Sequence, residues 1–281
     1  MKLQYFGTGA GMGIPEIFCS CRICENARAK RGKEIRTRSQ AILDDTLSID
    51  YPVDTFLHTL HGGLDMRNIR HILITHGHHD HFLPADVLSR PLWEGEPVRF
   101  YASKKSGAAL AKNIENTERA YQEGRRIRTS DFKAEVYALR PFIPVHINGF
   151  WVTPLPANHA PGTDPLLFMI IKDGKSILWC HDTGLLTEET KKYLTNAKLQ
   201  FDFVSLDCTL KRGAPITNHH MDLERCIETA AFLRENALLK ESAVIALSHI
   251  GHLVERTHEE LEAEASAFGM TVAYDGRIFE F

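Results

Sequence analysis

Between positions 76 and 81 the chain reads His76-Gly77-His78-His79-Asp80-His81, four imidazoles and a carboxylate within six residues. Buried neutral imidazoles each need a hydrogen-bond partner, and crowded protonated ones repel. A divalent cation relieves both difficulties by taking the ring lone pairs beside a balancing carboxylate. Imidazole with carboxylate suits Zn, Mn or Fe. The apolar run His71-Ile72-Leu73-Ile74 precedes the cluster, so a strand delivers all five groups to one place.

A second group of ligand types is Cys19-Ser20-Cys21-Arg22-Ile23-Cys24, three of the six cysteines. In a cytosolic protein such crowding points to a metal rather than to disulfides. Cys180, Cys208 and Cys226 lie in apolar settings and read as small buried hydrophobes. The formal net charge is −3, which gives no bulk attraction to nucleic acid or an anionic membrane. With 43% hydrophobic and 25% charged residues, the chain can bury a sizeable core. The opening Met1-Lys2-Leu3-Gln4-Tyr5-Phe6 runs into glycines without an apolar signal region, and no run approaches the roughly 18 residues of a membrane span. The expectation is a soluble, cytoplasmic protein that does not meet a membrane.

The elements that must position these groups follow from pattern. Hairpins are expected at Ala41–Leu43 with Leu47–Asp50, at Leu166–Ile171 with Ser176–Cys180, and at Val272–Tyr274 with Ile278–Phe281. Apolar spacing at Leu223, Cys226, Ile227, Ala230, Ala231 and Leu233 predicts an amphipathic helix over Asp222–Asn236. The glycines at 7, 9, 11 and 13 do not fit a dinucleotide fingerprint and predict a tight loop passing close to a ligand or metal. The polar, basic stretch Glu25 to Arg38 reads as a solvated helix and loop, or else as a rim that attracts phosphate. With no linker or repeat, one domain over residues 1–281 is expected, of mixed α/β (α+β) class, with sheets packed face to face and helices outside.

One regularity ties pattern to chemistry. His76, His159, Asp182 and His249 each fall just past an apolar strand, and strand ends gather along one sheet edge, where such folds place their sites.

Taken together, His76-x-His78-x-Asp80-His81 followed by His159, Asp182 and His249 resembles the dinuclear ligand set of the metallo-β-lactamase superfamily. The resemblance implies an αββα sandwich. It also implies one metal on His76, His78 and His159, a second on Asp80, His81 and His249, and Asp182 bridging as a catalytic residue. The opening Gly loop with C-x-C-x-x-C, the PLPANH stretch, Asp207-Cys208 and the closing SHIGH are similar to the phosphoribosyl cyclic phosphodiesterases of phosphonate breakdown. That subgroup implies a structural zinc on Cys19, Cys21, Cys24 and His252. It also implies a histidine beside the leaving group within Asn218-His219-His220-Met221-Asp222, where alignment on Asp222-Leu223 selects His220. His79, His181 and His219 read as neighbours of ligands rather than ligands. The cofactors implied are two active-site Zn or Mn ions and one structural Zn. The activity implied is hydrolysis of a small phosphate ester by a protein of possible homodimeric state, with no nucleic-acid polymer as partner. Alternatives are a lactone or thioester hydrolase, a protein of the pyrroloquinoline quinone pathway, and a metal-stabilised binding protein. For a tRNA-precursor nuclease the chain offers no basic Gly/Pro-rich arm, only the short Arg125-Arg126-Ile127-Arg128.

Overall fold

Hydrophobic alternation builds two sheets, seen in a computed structural model that describes residues 1–83, 85, 87, 95–120, 132–215 and 219–281. The basic Arg125–Arg128 stretch and Asn218 lie outside the described residues. In the first sheet, β1 (Lys2–Gly7), β2 (Gln40–Leu43) and β3 (Leu47–Ile49) form an antiparallel meander. From β3 the pairing turns parallel through β4 (His71–Leu73), β5 (Val98–Ser103) and β6 (Ala134–Leu139). The second sheet repeats that plan. Its meander is β7 (Val145–Ile147), β8 (Phe150–Pro156), β9 (Leu166–Lys172) and β10 (Lys175–Cys180), continued in parallel by β11 (Phe201–Asp207), β12 (Leu239–Ser248) and β13 (Thr271–Val272).

The two sheets face each other across a core that includes Leu3, Leu47, Phe150, Phe168 and Trp179, all fully buried. Each outer face carries helices. Leu110 of α3 (Lys104–Ala120) packs with Ile72 and Phe100 on the first sheet. The second is covered by α1 (Arg22–Lys30), α4 (Glu188–Ala197), α5 (Leu223–Glu235) and α6 (His258–Ser266), through Ile23, Leu194, Cys226 and Leu261. This is the αββα sandwich. The three cysteines expected to be buried are all at 0% exposure. Asp222 caps α5 by accepting from the Arg225 N–H at 3.0 Å. Among the described residues, no helix is long and apolar enough to cross a membrane.

The expected terminal hairpin does not form. Residues 271–272 join β12 in parallel, whereas β14 (Ile278–Glu280) pairs antiparallel with β1 in the other sheet. The chain crosses between sheets at Asp275-Gly276 because the Asp275 carboxylate is engaged elsewhere. It accepts from Thr8 N–H at 2.9 Å and Thr37 N–H at 2.7 Å, tying the crossing to the glycine loop.

His58 of α2 (Thr55–His61) is 3% exposed, its Nδ1–H donating to Gln40 Oε1 at 2.6 Å. Burial holds its pKa down at about 4. An unfolded histidine titrates near 6.5, so between these values the folded chain binds fewer protons, and stability falls as pH drops through that window. The contribution is up to about 1.4 kcal/mol per pH unit. In urea unfolding between pH 6.5 and 4, His58→Gln should flatten the acid loss. Equal pH slopes in the two proteins would contradict this assignment.

Candidate metal centre

Strand direction explains why the ligand types converge. β8 runs antiparallel to β9, β9 to β10, and β10 to β12 run in parallel, so β8, β10, β11 and β12 end at one edge. Past those ends lie His159, Asp182 and His249, while Asp207 closes β11 itself. From the facing sheet β4 leads into residues 75–81, and the two edges are joined where Leu166 N–H donates to the Thr75 carbonyl at 2.8 Å. Asp182 and His249 both have left-handed backbone, with φ of 50° and 54°. Such backbone is sparsely populated for non-glycine residues and is held where the surroundings over-determine it.

Three groups of candidate ligand atoms result, one of them Asp182, Asp207, His220 and His249. His76, His78 and His159 offer nitrogens within 4.8 Å of one another, and so do the side chains of Asp80, His81, Asp182 and His249. Asp182 stands between them. Its Oδ1 lies 3.5 Å from His159 Nε2, while its Oδ2 contacts His81 Nε2 and lies 3.0 Å from His249 Nε2. One carboxylate oxygen therefore faces each set.

The network behind the rings assigns the tautomers. His81 Nδ1–H donates to Asp50 at 2.7 Å, and His159 Nδ1–H donates to the His219 carbonyl at 2.9 Å. His249 Nδ1 lies 2.9 Å from Thr209 Oγ1 and 3.3 Å from Asp207 Oδ2. Each of these rings therefore keeps Nε2 for the centre, the arrangement that orients metal-binding histidines. The fit to cations shows at His76, whose Nε2 is buried without a hydrogen-bond partner. A buried nitrogen so placed costs free energy unless something accepts its lone pair.

Electrostatics agree with the geometry. Burial alone would raise the Asp182 carboxyl, but the fields of His249, His81 and His76 outweigh it and hold it well below the usual range. Burial likewise opposes a charge on His249, yet Asp182 and Asp207 lift its pKa to about 10. The carboxylates that retain those protons would equally hold a cation, which displaces protons as it binds.

His220 stands at the edge of this constellation. Its Nδ1 lies 2.9 Å from Asp207 Oδ2 and 3.6 Å from Asp182 Oδ1. Burial lowers its pKa, but Asp207 more than compensates, so the ring holds its proton more firmly than a free histidine. Asp50, Asp207 and Thr209 were not among the expected site residues. Asp50 and Asp207 close strands just as Asp182 and His249 follow them, so the strand-end pattern contained that signal. His79 is exposed. His181 is buried, 3.1 Å from Ser39 Oγ and 2.7 Å from Ser205 Oγ, beneath the site rather than in it.

The set of Cys19, Cys21, Cys24 and His252 is separate. The sulfurs of Cys19, Cys21 and Cys24 lie 3.3, 3.6 and 3.7 Å from one atom, His252 Nδ1. Three thiolates and an imidazole complete a closed tetrahedral shell for zinc. Burial works against ionising Cys21, but the Cys24 N–H, His252 and the other two thiols outweigh it and bring its pKa to about 6. Burial and the two neighbouring thiols push Cys24 up to about 12, a rise that a cation among the sulfurs would oppose.

Three arginines of the basic stretch, and Arg22 before it, are engaged within the fold. Arg22 pairs with Glu260, and Arg28 with Glu25. Arg36 is buried against Thr8 and the Ala273 carbonyl, and Arg38 bridges Asp54 and the Gly11 carbonyl. The glycine loop packs tightly against its neighbours, the Asp80 carboxylate among them. A Cβ on Gly11 would sit 3.1 Å from the Asp80 carboxylate, and one on Gly9 2.8 Å from the carbonyls of Arg36 and Thr37.

An αββα sandwich with paired His/Asp sets along one edge defines a class of metal-binding protein. A family model, the beta-lactamase superfamily domain, matches residues 52–241. The chain belongs to the metallo-β-lactamase superfamily, whose members are mostly metal-dependent hydrolases. It is similar along its whole length to a diphosphatase of the PhnP family, with a TM-score of 0.74, 22% identity and 96% of that chain covered. Zn2+-bound PqqB from Methylobacterium extorquens is similar with a TM-score of 0.72 and 20% identity, each chain covered in full. Human short-form tRNase Z gives 0.66 and 16%, over 100% of this chain and 99% of that one. At these identities the likeness shows the fold alone. A curated octanoyltransferase from Porphyromonas gingivalis is 32% identical over 98 residues, 34% of this chain but 19% of the transferase. The match thus spans about a fifth of that protein, and its named activity does not carry over.

Proposed function

We propose that the protein is a metal-dependent phosphodiesterase acting on a small cyclic or nucleotide-like phosphate ester. His76, His78 and His159 would hold one divalent cation, and Asp80, His81 and His249 the other, with Asp182 shared and Zn or Mn as the metals. Cations held there supply Lewis-acid chemistry, polarising a phosphoryl oxygen and lowering the pKa of a water. The thiolate set would hold a structural zinc.

The observation that carries this reading is the His220–Asp207 pair. Alkoxide leaving groups depart readily when they receive a proton, and an imidazole beside Asp182 Oδ1, its pKa raised by Asp207, can supply it. Asp207 fixes the ring so that Nδ1 faces the carboxylate and Nε2–H is left for the leaving oxygen. The diphosphatase activity of the similar PhnP-family protein supports a phosphoryl substrate.

The test is a panel of bis(p-nitrophenyl) phosphate, 2′,3′-cyclic nucleotides and a dinucleoside diphosphate, set against lactones and thioesters, with Mn2+ or Zn2+ added. Turnover confined to the phosphate esters is expected. No phosphodiester turnover by metal-replete protein would sink the reading, and lactone or thioester turnover in its place would move the substrate class.

A further inference from the structure

The thiolate set and the active centre share a strip of backbone. His252 lies three residues beyond His249, and the intervening Ile250 is laced to the glycine loop. Ala10 N–H donates to the Ile250 carbonyl at 3.1 Å, and Ile250 N–H donates to the Thr8 carbonyl at 2.8 Å. From that lacing the loop turns so that Gly11 lies against the Asp80 carboxylate. The same loop continues into Glu16, whose N–H donates to Cys24 Sγ at 3.3 Å, and whose carbonyl Arg28 holds at 2.8 Å. On the other side, Gly251 sits against Thr209, with 3.1 Å between its would-be Cβ and Thr209 O. Thr209 in turn donates to the His249 carbonyl at 2.7 Å.

Drawing the three cysteines and His252 onto one ion therefore fixes both ends of a short bracket. One arm of the bracket is His249, and the other rests on Asp80. His159 takes its support elsewhere, from the His219 carbonyl, and His76 from Thr75 Oγ1 at 3.2 Å, a hydroxyl outside the bracket that also lies 3.3 Å from His81 Nδ1.

We propose that the Cys19–Cys21–Cys24–His252 set is a positioning site for one half of the active centre. A cation bound there raises the affinity of the Asp80–His81–Asp182–His249 set for its own cation and leaves the His76–His78–His159 set nearly unchanged. This rests on the two-cation reading above. Coupling between binding sites is reciprocal, so filling the Asp80 set must tighten the thiolate set by the same factor.

Cobalt(II) titration in a chelator buffer can read the sites apart, because thiolate-to-cobalt charge transfer marks only the cysteine set. His78→Ala leaves the Asp80 set as the working half, and Asp80→Ala leaves the His76 set. Adding Cys21→Ser should weaken the remaining active-centre cobalt about tenfold in the His78→Ala protein, a typical coupling, and by less than about twofold in the Asp80→Ala protein. Equal changes in the two backgrounds, or none, would overturn the proposal.

Circular dichroism establishes whether each protein is folded. Should Cys21→Ser not fold, the reciprocal measurement keeps the thiolates intact. The affinity of the charge-transfer band should then fall about tenfold in Asp80→Ala and hold in His78→Ala. No such difference between the two would overturn the proposal equally. Wild-type protein that binds cobalt at the thiolates alone refutes the two-cation reading itself. Three cobalt ions per chain with independent affinities refute only the coupling.

Discussion

Asp182→Asn should leave a folded protein with a nearly empty active centre. The substitution keeps the size of the side chain, and asparagine tolerates the left-handed backbone at this position, where φ is 50°. What it removes is the charge facing both ligand sets, with His81 and His249 on one oxygen and His159 on the other. The Asn amide cannot act as a two-sided anion, because one of its atoms becomes an NH2 donor aimed at imidazole nitrogens. Losing a contact that orients a ligand already costs about 10–100-fold in metal affinity, and losing the shared ligand itself should cost more. Elemental analysis should find the thiolate-bound metal retained and the other two depleted, with phosphodiester turnover down by more than about 10^3-fold. Asp182→Asn protein with its full metal complement and normal turnover would remove Asp182 from the centre.

His220→Ala should separate proton donation from metal binding. The ring stands 3.6 Å from Asp182 and joins neither the His76 nor the Asp80 set, but with Asp182, Asp207 and His249 it forms a further group close enough to share an ion, so metal content is the control and should hold if His220 is a proton donor alone. Turnover of an ester with an alkoxide leaving group should fall by about 10^2–10^4-fold, the usual worth of a positioned acid. An ester releasing p-nitrophenolate needs no proton at neutral pH and should lose far less. Asp207→Asn should reproduce this leaving-group dependence, because Asp207 holds the His220 ring at 2.9 Å. It should also weaken metal binding, since the same carboxylate lies 3.3 Å from His249 Nδ1. Losses of similar size for both leaving groups in His220→Ala would argue for a positioning role rather than proton transfer.

Much of the centre was legible because its ligands sit where strands end. Alternation marks a strand, and a His or Asp just beyond it inherits that strand's direction. His76, His159, Asp182 and His249 could therefore be placed together from sequence. Asp50 and Asp207 obey the same rule yet stand behind the histidines. A lone carboxylate after a strand carries no sign of whether it faces a cation or another side chain. His58 was equally silent, since its burial depends on Gln40 and Thr37 approaching from elsewhere in the chain.

The terminal hairpin failed for a related reason. Strands of two and three residues hold too little alternation to declare which sheet they join, and Asp275 turned out to answer Thr8 and Thr37 across the fold. Arg36 misled in the opposite direction. Its position in a basic run suggested solvent, whereas three long-range partners hold it inside.

The sandwich itself gains something from where the centre lies. Residues 76–81 come from the loop after β4 in one sheet, and His159, Asp182 and His249 come from the other. Opposed layers packed through aliphatic and aromatic side chains interdigitate, and directional contacts such as Tyr5 Oη with Ser205 Oγ at 2.6 Å already pin them. Ligation is directional. The edge that carries the candidate ligands would therefore be a further seam, and metal bound there would help to hold the two layers in register.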